Sequence, residues 1–451
     1  MELPKLKFIS KTKFNSEISN YDALVIIFNF NLNTILETPL LKPFSKCISN
    51  QYSIDASIGK AISIIHTEGA PEPNNKNGTI NQEFVNFKQV TLLGALSGLY
   101  IPLEAREHFK KNISNITNIG VMVENESADI NEQLRIVEAY QQGRQLAQDI
   151  GGTSPERGNP LQCAEIIKTA FKETNVEINI IKDYSIIEKE YPLMAAVGRS
   201  SSTVEKHTPC VVKLTYKSPD QSQVKNNLFF VGKGVTFDSG GMDLKISGTM
   251  RGMSRDKGGA SICAGIVYIA QKLAVKHVNV TAYLGFVRNS IGSHSYVCDE
   301  IITSRSGRRV LVANTDAEGR MTMGDLLTVA KENARDDNVG RTLQDFGQIW
   351  GDPFEVSRIR KEDFQVVKGN GITEDVIQGN DKPSTMTSRG HQFPAAFLTL
   401  ISRLDEHGTT SECPIAYTHL DIAGCYGKWS NYWGLGSNGN PIIAIASSFI
   451  N

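Results

Sequence analysis

Leu228-Phe229-Phe230-Val231-Gly232-Lys233-Gly234-Val235-Thr236-Phe237-Asp238-Ser239-Gly240-Gly241-Met242-Asp243-Leu244-Lys245 is the stretch that decides how this 451-residue chain is read. The unbroken apolar run Leu228 to Val231 is the pattern of a strand covered on both faces. It enters a glycine-rich turn carrying Lys233, then Asp238, then Lys245. Glycines at 232, 234, 240 and 241 permit the close backbone approach and unusual dihedrals that a crowded site requires. A phosphate-cradling loop is the obvious rival. The spacing, however, is neither G-x-x-x-x-G-K-[ST] nor G-x-G-x-x-G, and a phosphate site has little use for Asp238.

Further along, Asn314-Thr315-Asp316-Ala317-Glu318-Gly319-Arg320 follows the apolar run Val310-Leu311-Val312 and reads as a strand end running into a turn at Gly319. On a strand, Asp316, Glu318 and Arg320 at alternate positions would project from one side. Two crowded carboxylates repel unless something positive lies between them. A divalent cation and a salt bridge to Arg320 both answer that need, and these residues alone leave the choice open. Between the two stretches, Met253-Ser254-Arg255-Asp256-Lys257-Gly258-Gly259 places a carboxylate just before a glycine pair that opens a helix.

Outward from these stretches, strand-like and helix-like segments alternate. Ala23 to Phe28 and Asn118 to Val123 read as early strands, and the turn-rich stretch from Glu68 to Gly78 as a surface loop. From Asn131 to Ile150, Leu134, Val137, Tyr140, Leu146 and Ile150 recur at helical spacing, with Gly143 as the only breaker and Gly151-Gly152 ending the run. Strands follow at Val176–Ile181, Cys210–Tyr216, Leu228–Val231, Val278–Val287 and Arg309–Val312, with helices at Gln162–Lys172, Gly258–Leu273 and Thr322–Glu332. The alternation predicts an α/β fold with a largely parallel or mixed sheet, in which ligands bind beyond the carboxyl ends of the strands. The length predicts two domains: a smaller N-terminal α/β domain over 1–130, a linker helix and loop over 131–160, and a larger C-terminal α/β domain over 161–451 with a mixed central sheet flanked by helices.

Composition narrows the function classes. A formal net charge of −1 removes any whole-chain case for nucleic acid or an acidic membrane surface. No run approaches the roughly 18 apolar residues needed to span a bilayer. The N-terminal stretch Met1 to Lys7 has no apolar core segment, so no secretory signal is expected, and the matches to glycosylation acceptors at Asn77 and Asn112 read as accidental. Seven scattered cysteines, never spaced C-x-x-C, favour free thiols in a reducing compartment. Cys263 and Cys425 read as buried structural thiols. Asp243, Asp299 and Asp325 read as caps or ion-pair partners, and Phe229, Phe230, Met242 and Met250 as core or pocket wall. None of the eight histidines forms an H-E-x-x-H pair.

Taken together, the phrases VGKGVTFDSGG, RDKGGA and NTDAEGR, in that order and spacing, resemble the leucyl aminopeptidase family of dinuclear metallopeptidases, and HLDIAG from His419 to Gly424 fits its C-terminal region. The run from Val287 to Arg309 looks most like a divergent animal branch of that family. The resemblance implies two divalent metal ions (zinc, manganese or magnesium). One would be held by Lys233, Asp238, Asp256 and Glu318, the other by Asp238, Asp316 and Glu318, with Asp238 and Glu318 bridging. It also implies that Lys245 polarises the scissile carbonyl and that Arg320 holds a bicarbonate acting as general base. His419 would then be a packed residue near the site rather than a ligand. Peptide substrates, leucine-like N-terminal residues, a cytoplasmic location and a homohexamer with sites facing an interior cavity are further implications. The charges are consistent with this: four carboxylates balance two dications, and Lys245 and Arg320 leave a site suited to an anion and a developing oxyanion.

The sequence departs from the family after the helix that follows Glu318. The stretch Asn333 to Gln344 is polar, with no apolar run of strand length, where the family continues with a strand and a cleft loop that positions the peptide. Misplacing a substrate by about 1 Å costs on the order of 10²-fold in rate. Two readings follow: a metal-dependent aminopeptidase, and a catalytically weak or inactive homologue with a structural role.

Overall fold

The computed structural model describes residues 5–8, 23–27, 61–65, 86–109, 118–123, 129–334, 342–379, 386–423 and 438–450. Two compact units emerge. The first comprises residues 1–101, 105–142 and 347–352, and the second 102–104, 143–346 and 353–451. The loop expected from Glu68 to Gly78, both glycosylation motifs, Cys47 and Cys425 lie outside the described residues.

The described residues of the first unit include four short strands, β1 (Lys5–Phe8), β2 (Ala23–Ile27), β3 (Ala61–Ile65) and β4 (Asn118–Val123). They pair in parallel in the order β1-β4-β2-β3. Parallel pairing demands crossover connections. Among the described residues, two helices lie between β3 and β4: α1 (Phe87–Gly98), which buries Leu92, Leu93 and Leu96, and α2 (Leu103–Phe109). The long helix α3 (Ile130–Gly152) follows, and Tyr140 on it packs edge-on against Trp350 at 5.1 Å between ring centroids.

In the second unit, α4 (Pro160–Ala170) starts at a proline with Asn159 capping it, its side chain accepting from the Gln162 amide at 3.1 Å. Then come β5 (Glu177–Ile181), α5 (Tyr184–Glu190), α6 (Pro192–Gly198), β6 (Cys210–Tyr216), β7 (Asn226–Asp238), α7 (Gly258–Leu273), β8 (Val278–Asn289), β9 (Ile301–Thr303), β10 (Arg309–Leu311) and α8 (Glu318–Asn333). Helices α9 (Thr342–Ile349) and α10 (Lys361–Val367), strand β11 (Val376–Ile377), and helices α11 (Phe393–Ile401) and α12 (Ile442–Ile450) complete the order. The main sheet runs β5-β6-β8-β7. Strand β6 pairs antiparallel with both β5 and β8, whereas β7 lies parallel to β8, so the sheet is mixed. Strand β8 buries Val280, Ala282, Leu284 and Phe286 completely, and Tyr283 and Val287 alternate with them, as a strand covered on both faces must.

Two glycines show which helix covers which face. A Cβ on Gly232 would meet the Ala260 Cα of α7 at 2.5 Å, and one on Gly285 would meet the Leu326 Cδ1 of α8 at 2.6 Å. Gly232 and Leu284 are partners across β7 and β8, as are Lys233 and Gly285. Residue 232 therefore faces α7 and residue 233 faces α8. Gly143, which reads as a helix breaker, is instead a crossing point: a Cβ there would meet the Gly265 carbonyl oxygen of α7 at 2.7 Å.

Four expectations need correction. Strand β7 does not stop at Val231 but continues through Gly232, Lys233 and Gly234 to Asp238. The reason is that both glycines are required by close packing: a Cβ on Gly234 would lie 2.4 Å from the Gly285 carbonyl oxygen. The glycine pair at 151–152 is still helical. The strand preceding Asn314 belongs to a separate small sheet, β11-β10-β9. Lastly, Glu318 and Arg320 lie on α8 rather than on a strand. No helix among the described residues is long and apolar enough to cross a membrane.

Asp325, read as a cap, fastens three segments of the larger unit. From the buried face of α8 its carboxylate accepts the Leu193 amide of α6 at 2.8 Å and the Arg305 amide of the β9–β10 turn at 2.8 Å. Burial raises its pKa to about 7 from an ordinary 3.8, against the pull of those two amides. Between these values the folded chain keeps a proton that the unfolded chain releases, so this group's contribution falls as pH rises through 7. Urea denaturation of Asp325→Asn should show a shallower loss of stability from pH 5 to 7.5 than the wild type. Equal slopes would contradict this account.

Candidate metal centre

The carboxyl end of β7 delivers Asp238 into a tight turn. Gly240 and Gly241 take positive φ values of 87° and 64°, and a Cβ on Gly240 would lie 2.4 Å from the Asp243 carbonyl oxygen. The Lys245 amide donates to the Ser239 carbonyl at 2.9 Å, which folds the turn back and brings the Lys245 side chain over Asp238. Thr315 fastens this turn to the second motif. Its hydroxyl donates to the Gly240 carbonyl at 2.7 Å and accepts the Asp243 amide at 2.8 Å, while its own amide donates to the Asp243 carboxylate at 2.6 Å. Asp243, read as a cap or ion-pair partner, instead braces Thr315 through these bonds.

The second motif is a turn leading into a helix. The Asp316 amide donates to the Asn314 side chain at 2.8 Å, the Ala317 amide to the Asn314 carbonyl at 3.1 Å, and Glu318 opens α8. A helix N-terminus favours that carboxylate. Asp256 closes the short 3₁₀ turn Met253–Arg255 just ahead of α7.

Four carboxylates and two ammonium groups converge here. Lys233 Nζ lies 2.7 Å from Asp256 Oδ1 and 2.8 Å from Glu318 Oε1, while Lys245 Nζ lies 3.0 Å from Asp238 Oδ2 and 2.5 Å from Asp316 Oδ1. One carboxylate oxygen each from Asp238, Asp316 and Glu318 falls within 4.8 Å of the others. The sequence-predicted ligands Lys233, Asp238, Asp256, Asp316 and Glu318 are therefore brought together with Lys245. Arg320 is buried nearby, but its guanidinium donates to the Gln378 carbonyl at 2.8 Å. Asp316 and Glu318 pair with the two lysines instead, so the Arg320 salt bridge left open by the sequence is not the arrangement found.

The electrostatics show strain among like charges. Burial, then repulsion from Asp238, holds Glu318 well above the usual carboxylate range despite Lys233. Burial also raises Asp256 and Asp316, each opposed by its lysine. For both lysines burial pulls the pKa down, but the surrounding carboxylates outweigh it and hold the ammonium forms. Arg320 is lowered to about 10 by burial, with Glu318 opposing. Glu318 Oε2 and Asp256 Oδ2 are buried with no hydrogen-bond donor. Buried acceptors without partners cost free energy, and oxygen-rich clusters with spare lone pairs suit divalent cations. The residues present fit such ions.

Sequence reading missed the supports. Asn289 Nδ2 donates to Asp238 Oδ1 at 2.8 Å and lies 3.1 Å from the Thr315 carbonyl oxygen, to which the Tyr296 hydroxyl also donates at 2.7 Å. The available signal was topological: Asp238 and Asn289 are partners at the ends of two parallel strands. Gln378 braces the second motif, accepting the Ala313 and Asn314 amides and donating to the Asn314 and Ala317 carbonyls. His419 lines the same cavity, its Nδ1 3.3 Å from the Tyr417 hydroxyl, and burial lowers its pKa. Among the other expectations, Cys263 is buried.

Comparison with known proteins agrees with this architecture. The profile of the cytosol aminopeptidase family (Peptidase_M17) catalytic domain matches residues 145–341. A Caenorhabditis elegans protein named "Putative aminopeptidase W07G4.4" is 38% identical over 404 residues, covering 82% of this chain and 76% of its own length. A "Probable cytosol aminopeptidase" of Wolinella succinogenes is 30% identical over 290 residues, covering 62% of this chain and 57% of its own. The fold is that of leucyl aminopeptidase from Trypanosoma brucei, solved in complex with actinonin. The two superpose with a TM-score of 0.72 at 17% identity, over 99% of this chain and 96% of that one. The chain belongs to the cytosol aminopeptidase family of peptidases.

Removing the Asn289 side chain in Asn289→Ala leaves Asp238 and the Thr315 carbonyl short of a donor, and should cost about 1–3 kcal/mol. Asn289→Asp, which sets a carboxylate against Asp238, should cost more. Chemical denaturation of both variants measures this, and an Asp variant as stable as wild type would contradict the arrangement.

Proposed function

We propose that the protein is a metal-dependent aminopeptidase that releases leucine-like N-terminal residues from peptides. The observation that carries this reading is the convergence of four carboxylates from separate chain segments, with buried oxygens on Glu318 and Asp256 left unpartnered. In this reading Lys233, Asp238, Asp256 and Glu318 would hold one divalent cation and Asp238, Asp316 and Glu318 the other; Lys233, an ammonium among these carboxylates, would have to give up its proton to serve as a ligand. Zinc, manganese and magnesium all suit the donor set. When bound, such a pair supplies Lewis acidity and lowers the pKa of water.

The chain's own groups do the rest. Lys245, held between Asp238 and Asp316, is an ammonium placed to donate to the oxygen of a scissile carbonyl as it gains charge. Arg320, buried on α8 and lining the same cavity, is placed to hold a small anion, bicarbonate, as proton acceptor. The carboxylate cluster also distinguishes a free N-terminal amine from an internal peptide bond, which selects exopeptidase cleavage. Relatives named as cytosol aminopeptidases support a cytoplasmic location, and by family analogy the assembly would be a homohexamer.

One observation favours a second reading, a catalytically weak homologue with a structural role: among the described residues no strand covers the outer edge of β7 beside the site. Turnover decides between the two. Leucine p-nitroanilide hydrolysis by Mn²⁺- or Zn²⁺-loaded protein should fall about 10²–10³-fold in Lys245→Ala and vanish in Glu318→Ala. Protein that binds metal but leaves this substrate and leucinamide untouched would exclude the aminopeptidase reading.

A further inference from the structure

Strand β7 is an edge that is not built as one. Strand β8 pairs with one side, and no strand among the described residues pairs with the other. Protected edges carry charges or prolines, yet Leu228 to Val231 are all apolar. Helices overlie both faces, α7 at Gly232 and α8 at Lys233, whose side chain reaches Gly319. This sandwiching is the environment of an interior strand. Phe229, Phe230 and Val231 are nevertheless all partly exposed, although alternate residues face opposite layers. Their exposure is therefore sideways, through the uncovered edge.

The space beyond that edge is a cavity of about 740 Å³, within the usual range for ligand clefts. Ile262 of α7, Met323 of α8 and Phe229 and Phe230 of β7 line it, together with Phe449 of α12, whose ring lies 6.0 Å from that of Phe230. In a strand paired on one side only, alternate peptide groups point away from the partner and need hydrogen bonds. The cavity is continuous with the candidate metal centre, since Asp256, Asp316 and Glu318 line it too.

We propose that this slot receives an extended apolar peptide segment as an added strand on β7, namely the tail of the substrate whose N-terminus lies at the carboxylate cluster. This rests on the aminopeptidase reading and gives its substrate class. The occupant is a peptide because the slot offers strand-edge hydrogen bonds between apolar walls, the arrangement of β-strand addition. It is the substrate because the slot opens directly onto the cluster. At about 3.3 Å per residue, the stretch from Leu228 to Lys233 accommodates a tail of about five residues. Such remote contacts lower KM, so apolar peptides of about six residues are favoured over dipeptides and aminoacyl anilides.

The test compares, on Mn²⁺-loaded protein, a leucine-led hexapeptide with a valine- and isoleucine-rich tail, one with a serine–glycine tail, and a leucyl dipeptide. The apolar hexapeptide should exceed the dipeptide at least about tenfold in kcat/KM, through KM, and the serine–glycine peptide should not. Ala334→Trp, which places an indole in the slot from the end of α8, should collapse that ratio. Independently of turnover, an N-acetylated, fluorescein-labelled apolar hexapeptide should bind the metal-free protein saturably, and Ala334→Trp should weaken that binding. Hydrolysis of leucine p-nitroanilide with no dependence on tail length and no binding of the blocked peptide would overturn the slot. Binding of the blocked peptide without turnover of any substrate would keep the slot and remove the enzymatic reading beneath it. Self-association abolished by Ala334→Trp would put a second copy of the chain there and overturn the proposal.

Discussion

The convergence of four carboxylates on two lysines, with Asp238 and Glu318 buried and Asp256 and Asp316 partly so, governs the larger unit of this protein. Like charges withdrawn from water repel strongly, and desolvation costs more than a single counter-ion returns. Such a cluster persists only where the surrounding backbone fixes every member. Strand β7 fixes Lys233 and Asp238, the turn before α7 fixes Asp256, and the first turn of α8 fixes Glu318. Asn289, Thr315 and Gln378 spend nearly all their hydrogen bonds holding those segments in register. The unpartnered oxygens of Glu318 and Asp256 are what remains unbalanced, and their need for positive charge ties the fold to a function.

The parallel pairing of β7 with β8 follows from the same constraint. It brings Asp238 and Asn289 to one end of the sheet and sets residues 232 and 233 on opposite faces. Gly232 then lets α7 approach closely, and Lys233 crosses to the α8 side to meet Glu318. Adding a Cβ at Gly232 would push apart the helix that follows Asp256, so the core packing and the site share one set of atoms.

Much of this was legible in the chain. The extents of β6 and α7 follow directly from apolar runs bounded by polar or glycine residues, and the acidic motifs stand out by their density. What sequence spacing could not convey was mutual placement. Asp243 and Thr315 are far apart in sequence, and only folding joins them. The stretch from Asn314 to Arg320 was misread as strand because Val310 to Val312 are apolar. The Asn314 turn and the helix dipole at Glu318 decide otherwise. Gly143 looked like a breaker because one sequence cannot show the second helix whose carbonyl it must admit. The polar stretch after Asn333, which reads as lacking a strand, lies for the most part (335–341) outside the described residues.

The most direct test of this account is anomalous diffraction from crystals of the protein grown with Mn²⁺ or Zn²⁺. The account predicts two anomalous peaks among Lys233, Asp238, Asp256, Asp316 and Glu318. Crystals saturated with metal that show no peak there, with Lys233 and Lys245 still bridging the same carboxylates, would contradict it.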